Sequence, residues 1–449
     1  MKTSAINRYT VTEDAAAQRF AEHFADRLRF CHDTGSWYEW TGAIWRREKT
    51  GLAFEWARQL ARELALDDDP KIKAIAGKSS FAAGVEKYAR SDRAFAVTSD
   101  IWDSDPFLLG TPGGTVDLST GQMREADAGD SITRMTAVAP AMTPHCPTWI
   151  RFLEETTGGD AGMIRFLKQW AGYSLTADTR EHALVFVCGD GGNGKSVWLN
   201  TMAGIIGDYA TTAAMETFTS SSTDKHPTDL AMLRGARLVT ASETEEGRAW
   251  AESRIKSLTG GDVITARFMR QDFFSFVPAF KLTVVGNHQP VLRNVDDAMR
   301  RRFNIVPFNR KPAKPDRELP DKLKAEWPAI LRWMIEGCLD WQANGLVRPQ
   351  SIIDATTGYF SEQDLFGQWL VEECDVEPSN SYKWETTANL FASWTGYAKA
   401  AGEAPGTTKS FAPRMVRSGL TRKRTGSAQG YAGVRLKPKT AYDPLDNDR

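Results

Sequence analysis

The spacing of apolar positions changes several times along the chain, and each change marks an element. Behind Thr10-Val-Thr-Glu13, a capping-box pattern, Phe20, Phe24 and Leu28 recur every fourth residue and predict an amphipathic helix. Trp37-Tyr-Glu-Trp40-Thr-Gly42-Ala-Ile-Trp45 predicts a β-hairpin turning at Thr41-Gly42. Leu52, Trp56, Leu60 and Leu64 return to helical spacing, and Asp67-Asp-Asp-Pro70 breaks it. From Trp102 to Ala139 short strands are expected between the turn signals Pro112-Gly-Gly114 and Asp117-Leu-Ser-Thr-Gly121. Helix resumes over Pro147–Tyr173, where Trp149, Phe152, Leu153, Ile164, Phe166, Leu167 and Trp170 form apolar faces. Residues 180 to 310 then alternate buried strands with helices, an α/β pattern. Its strands are expected at Ala183–Cys188, Arg237–Ser242 and Lys281–Gly286. Helix follows Pro312 through Leu323, Trp327, Ile330, Leu331, Trp333 and Met334. Residues 360 to 449 read as helices followed by a hairpin near Arg422–Arg435.

Composition narrows the class. The chain has 449 residues, 41% hydrophobic and 25% charged, as an ordinary globular chain of roughly three domains does. No apolar run approaches the ~18 residues of a membrane span, and Met1-Lys2-Thr3-Ser4 opens no signal-peptide core. Neither secretion nor a membrane anchor is expected. Cys31, Cys146, Cys188, Cys338 and Cys374 are scattered without a CxxC pair, and the histidines are equally dispersed. Disulfides and a zinc site are therefore not expected, and a reducing cytoplasm is. With 56 Lys+Arg against 57 Asp+Glu, a chain-wide cationic coat is excluded. Yet ten basic residues and one acid, Glu403, lie between Ala398 and Thr440, which points to an anion-binding C-terminal module.

The chemistry concentrates in the α/β block. Gly189-Asp190-Gly191-Gly192-Asn193-Gly194-Lys195-Ser196 matches GxxxxGK[ST] between an apolar strand and an apolar helix, the context this phosphate loop requires. Its glycines let backbone N–H groups turn toward phosphate oxygens, and the helix N-terminus adds positive partial charge. Lys195 is expected to reach the β- and γ-phosphates of ATP, and Ser196 to ligate Mg²⁺. Arg237-Leu-Val-Thr-Ala-Ser242-Glu243 is a strand ending in an acid 48 residues beyond Lys195. Placed beside the phosphate-loop strand, Glu243 can hold the Mg²⁺ shell and polarise a water; Glu245 is the second candidate. Lys281–Gly286 ends in Asn287, whose amide can bond the γ-phosphate or the attacking water; a turn-forming Asn is the competing reading. Arg300-Arg301-Arg302 precede a strand-like Phe303–Phe308. An arginine there can reach a neighbour's γ-phosphate, or the three can form a solvated basic turn.

In this order the elements resemble superfamily 3 helicases, most nearly the phage and plasmid primase–helicase family related to the poxvirus primase–helicase. The resemblance rests on Gly189–Ser196, Gly235–Glu245, Ile255–Asp262, Lys281–Asn287, Arg301-Arg302 and Pro307-Phe308. Upstream it takes in Trp102–Gly121, and downstream it runs to Gly345. It implies an AAA+-type ATPase, a hexameric homo-oligomer on single-stranded DNA, and Arg301 or Arg302 as a finger into the adjacent subunit. It also implies that Lys256 and the segment after Asp262 face a central channel. The residues agree with that segment being a hairpin: Val263–Phe268 and Phe273–Val277 can pair around Met269–Asp272. Arg267 and Arg270 then either meet a phosphate backbone or are simply exposed. Two departures stand out. Ser242-Glu243 replaces two successive acids, and the stretch before Trp102 is shorter than a primase domain and has no clustered metal-binding acids, so priming is not expected.

The expected organisation is an α/β P-loop AAA+-type core with a helical N-terminal region and a C-terminal winged-helix-like module. The parts are an N-terminal region (1–100), a family-specific domain with collar helices (101–178), the helicase core (179–310), a helical extension (311–355) and a basic module (360–449). In the last, Lys409, Arg414, Arg417, Arg422, Lys423, Arg424, Arg435, Lys437 and Lys439 are candidate phosphate contacts, Arg422–Arg424 foremost; Trp394 and Tyr397 are expected in its core. Its ligand is duplex origin DNA, RNA or an acidic partner. The function expected is an ATP-dependent DNA helicase or translocase of a phage, plasmid or prophage replication module. The alternative is an ATP-regulated initiator or scaffold that binds DNA and recruits a primase or polymerase without unwinding. An element-borne interference protein reusing the motor is a third reading.

Overall fold

The Thr12 hydroxyl accepts from the Ala15 amide at 3.2 Å and starts α1 (Glu13–Phe24). The cap is therefore Thr12 and not Thr10, because Thr12 holds the extended backbone an N-cap needs. The computed structural model describes residues 11–220, 228–243, 249–270, 272–292, 296–312, 314–426 and 428–438. They form two units, one of residues up to Pro290 with Arg301–Ile353, the other of Val291–Arg300 with residues from Asp354 onward.

In the first unit α1 is followed by β1 (Leu28–Cys31), β2 (Ser36–Trp40) and β3 (Trp45–Arg47), then by α2 (Leu52–Leu64), α3 (Pro70–Ala76), α4 (Ser79–Ser91) and β4 (Ala96–Val97). The sheet order is β3-β2-β1-β4. The expected hairpin is present, with the Thr41 amide bonded to the Ile44 carbonyl at its turn. Phe20, Trp37, Phe81 and Phe95 bury the apolar faces of these helices against the sheet. An antiparallel sheet of β5 (Leu108–Thr111), β6 (Gly114–Asp117) and β7 (Gln122–Arg124) comes next, and then α5 (Pro147–Thr157) and α6 (Ala161–Tyr173).

The centre of this unit is a five-stranded parallel sheet. Along the chain come β8 (Leu184–Cys188), α7 (Lys195–Ile206), β9 (Ala210–Thr212), α8 (Thr228–Ala231), β10 (Leu238–Glu243) and α9 (Glu252–Gly260). The hairpin β11 (Ile264–Ala266) and β12 (Phe274–Phe276) leads to β13 (Lys281–Gly286), to α10 (Asp297–Arg302), whose residues up to Arg300 belong to the second unit, and then to β14 (Phe303–Pro307) and α11 (Leu319–Asn344). The sheet order is β14-β8-β13-β10-β9, all parallel. β9 escapes the sequence pattern because its three residues, Ala-Thr-Thr, carry no apolar run. α6 and α11 approach closely enough that a Cβ on Gly172 would strike the Cys338 backbone. Trp149, Trp170, Trp333 and Trp341 fill the core around them. Glu326 on α11 accepts from the amides of Thr148 and Trp149, both at 3.0 Å, and so caps α5, which its own Cys146 does not.

Two buried basic side chains close the floor of this sheet. Arg237 donates to the Leu175 carbonyl at 2.6 Å and the Leu108 carbonyl at 2.8 Å. Lys281 donates to the Thr176 carbonyl and to those of Asp178 (3.2 Å) and Ala279 (3.3 Å). Burial pushes the Lys281 amine well below its ordinary value, with Arg237 adding in the same direction.

The second unit contains the C-terminal part of α12 (Gln350–Gln363), then α13 (Leu365–Glu373), β15 (Cys374–Val376), β16 (Trp384–Thr386), α14 (Thr387–Ala400) and α15 (Thr408–Arg417). β17 (Thr421–Thr425), β18 (Ala428–Ala432) and β19 (Val434–Leu436) complete it, in sheets β16-β18-β17 and β15-β19. Phe366, Trp369, Trp394, Phe411 and Tyr431 form its core, with Tyr397 packed partly buried against it. Trp394 donates to the Pro405 carbonyl at 2.8 Å. All five cysteines are free and buried. Among the described residues no helix is long and apolar enough to cross a membrane.

Candidate functional site

β8 reads Leu-Val-Phe-Val-Cys, buried at every position, so its length is spent inside the sheet and its end delivers Gly189–Gly194 to the surface. α7 begins at Lys195. The register pairs Cys188 with Gly286 and with Pro307, and Gly286 with Glu243. The glycine-rich loop, Asn287 and the end of β10 therefore share one edge of the sheet, the carboxyl edge where open parallel sheets bind ligands. β10 is not adjacent to β8 as the sequence suggested: β13 lies between them. Glu243 is thus two strand spacings, about 10 Å, from the Cys188 position, and Asn287 stands on the nearer strand.

The loop is held from below. Gly194 has φ +87°, and a Cβ there would lie 2.7 Å from Phe152 and 2.8 Å from Thr156, so α5 packs where only glycine leaves room. Gly191 and Gly192 face open space, leaving their backbone accessible beside the first turn of α7, whose N–H groups lack intrahelical partners. Ser196 is exposed at that turn.

Lys195 is only 7% exposed. Its Nζ donates to the Gly189 carbonyl, the Asp190 carbonyl at 3.0 Å and Asn193 Oδ1 at 3.0 Å. Burial lowers its pKa; Cys188 and Asp190 oppose that, and Lys311 adds to it. Asn193 is 2% exposed, and its Nδ2 donates to the Phe308 carbonyl at the end of β14. Sequence reasoning counted Asn193 among the loop positions and gave no sign of this second bond. It also passed over Arg310, whose guanidinium packs on Gly158.

Glu243 ends β10, and its side chain lies outside what the structure describes, as does all of Glu245. Asn287 is exposed just past β13. Arg300, Arg301 and Arg302 end α10 in three different settings. Arg300 lies 3.8 Å from Asp364 and over the Phe360 ring. Arg302 Nε donates to Thr259 Oγ1 at 3.2 Å, and Arg301 is exposed. Among the described residues no three His, Cys, Asp or Glu side chains cluster as a metal cage. Mg²⁺ beside a nucleotide needs no such cage, since one or two protein oxygens complete a shell of phosphates and waters, and the exposed Ser196 hydroxyl suits that role.

Residues 17–158 match the D5 N terminal like family, and residues 187–302 match a family of unknown function (DUF5906). The chain is 26% identical over 258 residues to "Putative helicase 022R" of Frog virus 3 (isolate Goorha), covering 53% of this chain and 26% of that protein. To "Putative helicase L207/L206" of Acanthamoeba polyphaga mimivirus it is 25% identical over 325 residues, 66% of this chain and 33% of that protein. In fold it is similar to the apo structure of the NrS-1 C terminal region, with a TM-score of 0.50 at 9% identity, over 90% of this chain and 96% of that one. Together these likenesses support a phage or viral primase–helicase-like protein. The chain spans about a third or less of the length of these curated relatives.

The hairpin after Asp262 pairs Ile264 with Phe276 and Ala266 with Phe274. Its ladder is shorter than the expected Val263–Phe268 and Phe273–Val277, and the tip correspondingly wider. The local cause is that Arg267 leaves the ladder: its guanidinium lies 4.6 Å over the Phe273 ring, and its carbonyl accepts from Thr228. Arg267 and Arg270 are both exposed, and Arg270 holds φ +60°. Lys256 is half-buried on α9. In the second unit every residue of β17 is exposed, Arg422, Lys423 and Arg424 included. Lys423 donates to the Ser381 carbonyl and Arg424 to the Gly426 carbonyl, so both meet main chain. Lys439 lies outside the described residues.

Proposed function

We propose that this chain is an ATP-dependent DNA helicase or translocase of a phage, plasmid or prophage replication module. The observation that carries the reading is the alignment of Gly189–Ser196, Asn287 and the Glu243 end of β10 along one sheet edge. In this reading the core is a P-loop ATPase of the AAA+ type. The loop amides and Lys195 hold the ATP phosphates, and Ser196, with Glu243 and waters, holds Mg²⁺. The ion, when bound, neutralises charge on the phosphate oxygens. Glu243 orients the attacking water as base, and Asn287 donates its amide to the γ-phosphate. Arg301 or Arg302 of the next subunit in a homo-oligomeric ring, a hexamer by family resemblance, completes the site. Lys256, Arg267 and Arg270 engage single-stranded DNA. Residues 360–449 act as a winged-helix-like module whose Arg422, Lys423 and Arg424 contact duplex phosphates. The names of the viral relatives support this reading.

A second reading, an initiator or scaffold that binds duplex DNA and recruits a separate primase or polymerase, is favoured by the exposed basic strand β17. Steady-state ATP hydrolysis by the purified chain, with and without single-stranded DNA across protein concentrations, separates the two. The motor requires stimulation that steepens with concentration and disappears in Lys195→Ala, by roughly 100-fold or more in turnover. Flat, unstimulated turnover with tight duplex binding supports the scaffold instead.

A further inference from the structure

We propose that Asn193 is a positioning residue that ties the phosphate-loop lysine to the strand starting at the arginine cluster, so that filling the loop is felt at Arg301 and Arg302. The inference rests on the nucleotide reading above.

The Asn193 carboxamide is used at both ends. Oδ1 accepts from Lys195, and Nδ2 donates to the Phe308 carbonyl. Neither bond survives exchange of the two amide atoms, because an ammonium only donates and a carbonyl only accepts. An ammonium has three N–H groups, and Lys195 directs them to Gly189, Asp190 and Asn193. A phosphate that binds Lys195 must take at least one of them. Two of these acceptors are main chain of the loop itself. Asn193 Oδ1 belongs to a side chain anchored outside the loop.

That anchor is well placed to transmit a shift. The Phe308 amide donates to the Cys188 carbonyl at 2.7 Å, and β14 pairs with β8 in unbroken register from Phe303 to Pro307. β14 begins directly after Arg301 and Arg302. Arg302 leans on Thr259, and the Arg301 carbonyl accepts from Arg348 at 2.7 Å. The Phe308 carbonyl sits at the end of this short strand and Arg301 and Arg302 directly before its start, so a displaced Asn193 reaches the arginines through β14. Asparagine is the residue type the link needs. Aspartate has no donor for Phe308, and serine or alanine is too short for both contacts.

Two substitutions separate the two bonds. Asn193→Ala frees Lys195 and cuts the strand link. Asn193→Asp, which keeps the volume, grips Lys195 by charge and also cuts the link. On the full chain, binding of a fluorescent ATP analogue and phosphate release with single-stranded DNA are measured for both, alone and combined with Arg301→Ala and Arg302→Ala. Asn193→Ala is expected to keep affinity within about threefold while turnover falls about tenfold or more. Adding the arginine substitution to it should cost far less than it does in wild type. Asn193→Asp is expected to weaken binding about tenfold and to show the same lost coupling, which keeps the test available if the alanine variant is unstable. Full multiplicative effects overturn the proposal. So does an affinity loss in Asn193→Ala that parallels Lys195→Ala, because Asn193 would then serve the phosphate directly. A wild-type chain that binds no ATP analogue refutes the nucleotide reading itself.

Discussion

Arg237 donates to the Leu175 carbonyl at 2.6 Å, joining the residue before β10 to the turn that follows α6. A second guanidinium nitrogen takes the Leu108 carbonyl of β5. One buried side chain thus ties three segments together at the sheet end away from the glycine-rich loop. Arg237→Met leaves both carbonyls without their charged donor, at roughly 1–3 kcal/mol each. The expected loss is about 2–6 kcal/mol in urea unfolding followed by tryptophan fluorescence. ATP affinity of the folded fraction should not change, because no loop residue touches this arginine among the contacts described.

Lys281, one strand over, gives a pH prediction. Burial holds its pKa well below 10.5, so the native chain binds fewer protons than the unfolded chain in the window beneath that value. Stability must therefore rise with pH through that window. Lys281→Met removes the titrating group, and its unfolding midpoint should climb less than wild type as pH rises toward the ordinary lysine value of 10.5. The slope is the readout, since the variant also strands the carbonyls of Thr176, Asp178 and Ala279 and lowers stability at every pH. Equal slopes would show that the oxygens around Lys281 keep it charged in the fold.

The sequence exposed what local spacing encodes. β13 and the β2–β3 turn lie where a buried-strand pattern and Thr41-Gly42 put them, and the strand–loop–helix around Gly189–Ser196 follows from glycines flanked by two apolar runs. Strand order was not legible, because adjacency in a parallel sheet is a property of crossovers. The placing of β13 between β8 and β10 leaves no mark in either strand. Lys281 and Arg237 read as ordinary strand starts, although tertiary carbonyls alone make their burial possible. Asn193 was legible as a motif position but not as a bridge, since its partner Phe308 is distant in sequence and contributes only main chain.

β17 offers its cations to solvent while tying two of them to carbonyls, which orients them without neutralising charge. Each cation that meets a duplex phosphate contributes about one unit to the slope of log affinity against log salt. Arg422→Ala, Lys423→Ala and Arg424→Ala together should flatten that slope by about two to three units for duplex DNA of any sequence. The folding midpoint should be retained, because all three side chains lie outside the Phe366–Trp394 core. A duplex slope identical to wild type would remove β17 from the DNA surface and move the search to α15.

The arginines at the end of α10 yield to a mixing experiment. Arg300 faces Asp364 and Phe360, and Arg302 is half-buried against Thr259. Arg301 is the most exposed of the three, and under the ring reading it is the first candidate to reach a neighbouring subunit. Lys195→Ala and Arg301→Ala should each abolish DNA-stimulated hydrolysis when alone. Mixed in equal amounts, about one subunit interface in four pairs an intact Lys195 with an intact Arg301 across it, by random assortment in a ring. Turnover should then recover to about a quarter of wild type if subunits exchange and interfaces fire independently. No recovery after verified exchange means that the arginine acts within its own subunit, on the loop its β14 adjoins. Recovery with Arg302→Ala but not with Arg301→Ala would assign the finger to Arg302 and require its bond to Thr259 to break during turnover.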